Sequence, residues 1–331
     1  MRILLIKTSS LGDVVHNLPV VTDLRARFPA AEIDWVVEES FADIPRLHPG
    51  VSQIITVAVR RWRRSPLTPS VWREIGALRR RLRADRYDFA IDTQGLLKSA
   101  LITRIAPTRR CGYAADSARE PLASRFYDTC FAVPKAMHAV ERNRRLAAHA
   151  GGYQITGAPD YGIAVTRPRS GIPGTQSEPA PALCVTTGTP GPTAVLLTAT
   201  SRDDKLWPDE HWAALGQELE ARGLHCLLPA GNDAERERAT RLVGRIPRAR
   251  LLPPASLGEL AGHLAAAHIV VGVDTGLVHL AAARGRPTLA LFSASDPALT
   301  GVLARTPAIN LGSRGHPPSV AEVLSVAVPL L

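Results

Sequence analysis

Apolar and polar residues follow two rhythms along this chain, and the two rhythms take turns. Short apolar runs rich in branched side chains, such as 2–7 and 269–273, have the length and composition of buried strands. Between them, apolar residues recur at helical spacing. In the first half the pattern predicts strands at 2–7, 32–37, 53–57, 89–92 and 109–112. Helices are predicted at 14–27, 41–47, 71–83, 96–105 and 138–150. Pro, Gly, Ser and Thr then dominate from about 166 to 192, which is a linker signature. The alternation restarts with strands at 194–198, 224–229, 269–273 and 288–292. Helices are predicted at 211–222, 234–243, 257–266, directly after 276, and at 319–328. Strands alternating with helices argue parallel sheets covered on both faces. The expected fold is α/β, with two doubly wound, Rossmann-like domains facing a central cleft. Their expected bounds are 1–165 and 194–331, with a linker over 166–193.

Length and composition support this division. A chain of 331 residues with 45% hydrophobic content suits two ordinary domains with full cores. The net charge of +10 points to an anionic partner: nucleic acid, an acidic membrane surface, or a phosphorylated or carboxylated substrate. Cys111, Cys130, Cys184 and Cys226 are scattered without CxxC spacing. That argues against a zinc site or a disulfide framework and fits a reducing cytosol. The apolar run at the amino end is short and interrupted by Lys7, unlike a signal peptide. No apolar run is long enough to span a bilayer, so any membrane contact is expected to be peripheral.

The chemistry-bearing residues cluster at strand ends. Lys7-Thr-Ser-Ser-Leu-Gly-Asp13 follows the first strand and opens a helix. It matches neither a Walker loop nor G-x-G-x-x-G. Asp13 reads first as a helix cap, and alternatively as a general base for an acceptor hydroxyl. Thr200, Ser201 and Lys205 follow the first strand of the second half, and a lysine there can act as a point charge against a diphosphate. Asp274-Thr-Gly276 ends another strand and starts an alanine-rich helix, where amides and the helix dipole favour a phosphate. His279 lies one turn on. Glu235 is placed to accept from ribose hydroxyls, or simply to complement a helix dipole. Arg60, Arg61 and Arg63 lie in an expected loop, and the helix 71–83 adds more arginines. Arginine forks suit carboxylates and phosphates, although a charge run is often only a solvated face.

Seven motifs together resemble glycosyltransferase family 9, the lipopolysaccharide heptosyltransferases. They are Lys7-Thr-Ser-Ser-Leu-Gly-Asp-Val14, Asp34-Trp-Val-Val-Glu-Glu39, Arg60-Arg-Trp-Arg63, Ile91-Asp-Thr-Gln-Gly-Leu-Leu-Lys-Ser99, Ala118-Arg-Glu-Pro-Leu-Ala-Ser124, Arg202-Asp-Asp-Lys-Leu-Trp-Pro208 and Val273-Asp-Thr-Gly-Leu-Val-His279. The resemblance runs over nearly the whole chain. It favours the members that add heptose to Kdo over the type II enzymes, which read Asn-Asp-Ser-Gly at the last motif. It implies a GT-B architecture and an inverting transfer from ADP-heptose to the Kdo of Kdo-lipid A. Asp13 then resembles the base. Thr200, Ser201, Lys205, Glu235, Asp274, Thr275, Gly276 and His279 resemble donor contacts. Lys7, Ser10, Arg60, Arg61, Arg63 and Arg119 would line the acceptor side. The last helix, about 318–330, would pack back on the first domain.

Fixed donors at the diphosphate site can replace a metal ion, and no Asp-x-Asp pair is placed there, Asp203 and Asp204 being adjacent; no metal and no separate cofactor are therefore expected, the ADP-sugar being a substrate. The remaining partner would be the anionic inner-membrane surface, reached from the cytoplasm, and no nucleic acid. Ala230 replaces a common Trp, the loop Ser293-Ala-Ser-Asp-Pro297 departs from Gly-Pro-Thr-Asp-Pro, and the linker is longer than usual. Two alternatives stay open. One is another family 9 heptosyl- or hexosyltransferase. The other is a basic nucleotide- or nucleic-acid-binding protein without transferase activity.

Overall fold

The computed structural model describes residues 1–164 and 191–331, which fall into two compact units, Met1–Gly162 and Ile163–Leu331. The expected linker, 166–193, lies almost wholly outside the described residues.

The strands of the first unit are β1 (Arg2–Ile6), β2 (Glu32–Glu38), β3 (Gln53–Val57), β4 (Phe89–Asp92), β5 (Arg109–Tyr113) and β6 (Thr129–Phe131). Its helices are α1 (Leu11–Val15), α2 (Leu18–Arg27), α3 (Asp43–Arg46), α4 (Val59–Arg64), α5 (Pro69–Ala84), α6 (Leu97–Thr103) and α7 (Ala139–Gly151). The sheet is parallel, in the order β3-β2-β1-β4-β5-β6. Ile3 to Ile6 are fully buried because helices cover both sheet faces. On one face Leu78 and Leu82 of α5, Ile102 of α6 and Trp62 of α4 pack on Leu4, Ile6, Val36 and Ile55. Right-handed crossovers put α2 on the other.

The second unit repeats this wiring. Its strands are β7 (Thr193–Leu197), β8 (His225–Leu228), β9 (Arg250–Leu251), β10 (Ile269–Val273), β11 (Thr288–Phe292) and β12 (Ala308–Gly312). Its helices are α8 (Asp209–Ala221), α9 (Asp233–Val243), α10 (Leu257–Ala266), α11 (Gly276–Ala283), α12 (Pro297–Thr300) and α13 (Val320–Ala327). The order is β12-β11-β10-β7-β8-β9, again parallel. In each sheet the winding reverses between its first and fourth strands, the place where such folds bind ligands. At the second of these points Gly272 faces Leu197, whose Cβ would lie 2.8 Å from any Cβ added there. The α13 side chains Val323 and Ala327 join the core of this unit beside Trp207 and Trp212.

Several local expectations are corrected. The helix predicted over 14–27 is two helices. Pro19 lacks an amide hydrogen and is tolerated only in a first turn, so a new helix starts at Leu18. The arginine cluster expected in a loop forms α4. The strands β6, β9 and β12 were not predicted. All three are sheet edges, and none is fully buried, so they lack the continuous apolar run that marks interior strands.

A pH-dependent stability is built into the first unit. His48 is buried, its Nδ1 accepts the Gly50 amide at 2.9 Å, and its Nε2 lies 3.0 Å from Thr22 Oγ1. With Nδ1 accepting, Nε2 carries the proton and donates to Thr22. Gly162, with φ of +67°, lies so close that an added Cβ would sit 2.2 Å from Nε2. Burial pushes the imidazole down to about 4, against an ordinary 6.5. As pH falls below 6.5 the unfolded chain therefore takes up the proton before the folded one. Stability is full above that pH and drains away toward pH 4, by roughly 3 kcal/mol. Denaturant titration across this window should show the loss in the wild type, and a much flatter profile in His48→Gln. Equal slopes would remove His48 as the cause.

Candidate active site

At the switch point of the first sheet, two loops leave the carboxyl ends of β1 and β4. The buried Gln94 joins them, its Oε1 accepting the amides of Thr8 and Ser9, each at 3.1 Å. Asp92, fully buried, accepts the Gln94 amide at 2.8 Å and the Tyr127 hydroxyl at 2.7 Å. These contacts fix the loop that carries Lys7, Ser10 and Asp13. Lys7 is buried and donates to the Thr93 carbonyl at 2.8 Å and to Asn143 Oδ1 at 3.4 Å. Burial lowers its ammonium to about 8, with nearby Asp13 opposing the shift and Arg119 adding to it.

Asp13 occupies the third position of α1. Its Oδ2 accepts the Ser10 amide at 3.0 Å, the Ser10 hydroxyl at 3.2 Å and the Arg119 guanidinium at 3.2 Å. The cap is therefore present, yet the carboxylate also faces cations. Burial pushes this carboxyl up, but Lys7, Arg119 and the Ser10 hydrogen bonds outweigh it and hold it below its ordinary 3.8. Asp13 is thus ionised at neutral pH. Arg119 is half-exposed and is anchored through its neighbour Glu120, whose amide donates to the Gly95 carbonyl and whose carboxylate caps Leu97.

The arginines of α4 divide. Arg60 donates its amide to buried Glu38 at 3.0 Å, and its guanidinium lies over Phe41. Arg61 is held between Glu39 and Glu74, at 3.1 and 3.0 Å, rather than turned toward Asp13. Lys98 donates to Ser9 Oγ at 2.8 Å. Its ammonium is lowered chiefly by burial; Glu38 opposes this, while Arg60 and Arg63 lower it further. Arg60 and Arg63 therefore share the field of the β1 loop through Lys98. Sequence reasoning assigned no role to Glu38, Gln94 or Lys98. Their signal was their place at strand ends inside quoted motifs.

At the switch point of the second sheet, Asp274 is the hub. Its Oδ2 accepts Lys205 Nζ at 2.6 Å and the Ser295 hydroxyl at 2.5 Å, and its carbonyl accepts the Thr200 hydroxyl at 3.0 Å. His279 Nε2 lies 4.0 Å from Asp274 Oδ1. Thr275 is the N-cap of α11, so the amides of Gly276 and Leu277 open the helix without intrahelical acceptors, whereas the Val278 amide donates to the Thr275 carbonyl at 3.2 Å. Ser201 stands exposed beside Thr200. Glu235 sits apart at the start of α9, where it accepts the Gly231 amide and the Asn232 side chain, each at 2.8 Å. Ser295 was missed because its loop departs from the family pattern. Trp207 of the Lys-Leu-Trp-Pro motif is core: its indole donates to the Pro318 carbonyl at 2.8 Å and packs edge-on to Trp212. Among the described residues, no group of three or more His, Cys, Asp or Glu side chains is placed to hold a metal.

One crevice thus gathers an ionised carboxylate among cations, and the other a lysine, hydroxyls and helix-start amides. Taken separately, the first has the chemistry to accept a proton from a hydroxyl, and the second to hold an anion such as a phosphate. The sequence profile of glycosyltransferase family 9 (heptosyltransferase) matches residues 75–326. Lipopolysaccharide heptosyltransferase 1 of Pseudomonas aeruginosa is 44% identical over 318 residues, 95% of this chain and 84% of that protein. The structure of E. coli heptosyltransferase WaaC with ADP superposes with a TM-score of 0.88 at 39% identity, covering 100% of both chains. The same enzyme with ADP-2-deoxy-2-fluoro heptose gives 0.82 at 40% identity, covering 99% of this chain and 98% of that one. A profile match over most of the length, and relatives this similar end to end, establish that the chain belongs to glycosyltransferase family 9, the heptosyltransferases.

Proposed function

We propose that this protein is a lipopolysaccharide heptosyltransferase that transfers L-glycero-D-manno-heptose from ADP-heptose to the Kdo of Kdo-lipid A, with inversion at the anomeric carbon. The observation that carries the reading is the Lys205–Asp274–Thr200 cluster at the start of α11, in a chain 39–40% identical to a heptosyltransferase solved with ADP and with a fluorinated ADP-heptose. In this reading the diphosphate takes Lys205 from Asp274 and lies against the amides of Thr275 and Gly276, with Thr200, Ser201 and His279 around it. Those fixed donors meet the charge that develops on the leaving ADP and take the place of a metal ion. Glu235 keeps its capping bonds and accepts from the ribose with its remaining lone pairs.

On the acceptor side Asp13 takes the proton of the Kdo hydroxyl as the new bond forms. The carboxylate of Kdo pairs with Arg119 and Lys7, while Arg60 and Arg63 meet phosphate, as does Arg61 once released from its glutamates. Drawing Arg119 and Lys7 toward an incoming anion removes the charges that hold Asp13 low, so acceptor binding itself makes Asp13 a stronger base. The acceptor is a lipid, and the expected workplace is the cytoplasmic face of the inner membrane. Among the described residues no helix is long and apolar enough to cross a membrane.

The direct test is incubation with ADP-heptose and Kdo-lipid A, the product being read by mass. A gain of one heptose is expected, with activity retained in EDTA. Loss in EDTA, restored by magnesium or manganese, would assign the charge stabilisation to a metal. No product from ADP-heptose, but product from another nucleotide sugar, would move the protein to a different branch of the family.

A further inference from the structure

The three helices on one face of the first sheet, α4, α5 and α6, form a layer whose outer side is unlike the rest of the unit. Within 59–84, 97–104 and 121–126 there are twelve Arg and Lys residues and one acid, Glu74. That acid is already taken by Arg61 and by the Trp62 indole. Arg63, Arg64, Arg73, Arg79, Arg80, Arg83, Arg104 and Arg125 are all exposed. The same layer carries the unit's most exposed large apolar side chains: Leu67 at 91%, Trp72 at 63%, Leu122 at 55% and Leu101 at 49%. The short helical turn bearing Leu122 packs on α6. By contrast α2 and α7, which pack on each other, expose no large apolar side chain.

Leu67 and Trp72 form one projection. The Trp72 indole, in the first turn of α5, donates to the Pro66 carbonyl at 2.9 Å, which holds the ring beside the turn that carries Leu67. An apolar tip with an indole at its base and arginines around it matches the boundary between lipid headgroups and acyl chains. A nucleic acid would use the charge but leave Leu67 without a function. We infer that this α4–α5–α6 face docks on an anionic phospholipid bilayer, with Leu67 and Trp72 inserted below the headgroups and the arginines on their phosphates. The inference adds a defined surface to the membrane part of the reading above and rests on it for its purpose, not for its test.

The full chain is mixed with phosphatidylcholine vesicles, with and without phosphatidylglycerol, and sedimented. Binding is expected only with the anionic lipid, weaker as salt rises. Leu67→Ser combined with Trp72→Ser should lower the partition coefficient about tenfold or more at every salt concentration, because apolar insertion is not screened. Trp72 emission should shift to the blue on vesicle addition, a change absent in Trp72→Phe. Both substituted side chains are exposed, so thermal unfolding should match the wild type. Turnover of a soluble, acyl-free acceptor should also be unchanged, which separates a failed docking face from a failed transferase reading. Wild-type protein that ignores anionic vesicles would overturn the inference. So would a double variant that binds like the wild type, or a self-association lost in the double variant, which would make a second copy the occupant.

Discussion

Asp13→Asn is expected to lower turnover by about two to four orders of magnitude while leaving ADP binding intact. The amide preserves the size of the side chain and can still accept from the Ser10 amide, so α1 keeps its cap. What disappears is a negatively charged oxygen able to take a proton. In the free enzyme Lys7 and Arg119 hold the carboxyl below the ordinary range, so its protonation should not limit kcat/KM until the pH is well into the acid range. Single-turnover assays with purified variant and saturating acceptor separate the chemical step from binding. Near-normal turnover would leave Asp13 as a helix cap alone, and the base would have to be sought elsewhere in the β1 and β4 loops.

Lys205→Ala carries the second large effect. The ammonium pairs with Asp274 in this structure, and a diphosphate must outbid that carboxylate. Losing a charge-assisted contact of about 1.5–3 kcal/mol should weaken ADP binding roughly ten- to hundred-fold and slow transfer, since charge grows on the leaving group. Lys205→Arg should restore part of the affinity. Asp274→Asn is the informative partner: it frees Lys205 from a competing carboxylate without removing it, so ADP binding should be kept or strengthened. Calorimetric titration with ADP distinguishes these outcomes. If Lys205→Ala bound ADP normally, Lys205 would serve only to neutralise Asp274.

Much of this was legible in the chain because parallel strands buried on both faces write continuous apolar runs, and loops at their carboxyl ends are short. Lys7, Ser10 and Asp13 could be placed from the run before them, as could Asp274, Thr275 and Gly276. The edge strands β6, β9 and β12 could not, since one-sided burial leaves a mixed text that reads as loop. Contacts between distant segments were equally hidden. Nothing in the order of residues says that Gln94 will tie down Thr8 and Ser9, or that Ser295 will meet Asp274 from a loop twenty-one positions on. The fate of Arg61 also depended on distance in space: Glu39 and Glu74 had to be brought to one place before that arginine could be seen as occupied.

The matching strand order of the two sheets has a practical corollary. The cluster around Asp274 draws all its members from residues 200–295, on one sheet with its own core, and α13 completes that core from within the same unit. On the proposed donor assignment, nucleotide-sugar preference would be a transplantable module. Grafting residues 193–331 from a relative that uses a different activated sugar should yield a chimera that decorates the original acceptor with a new sugar.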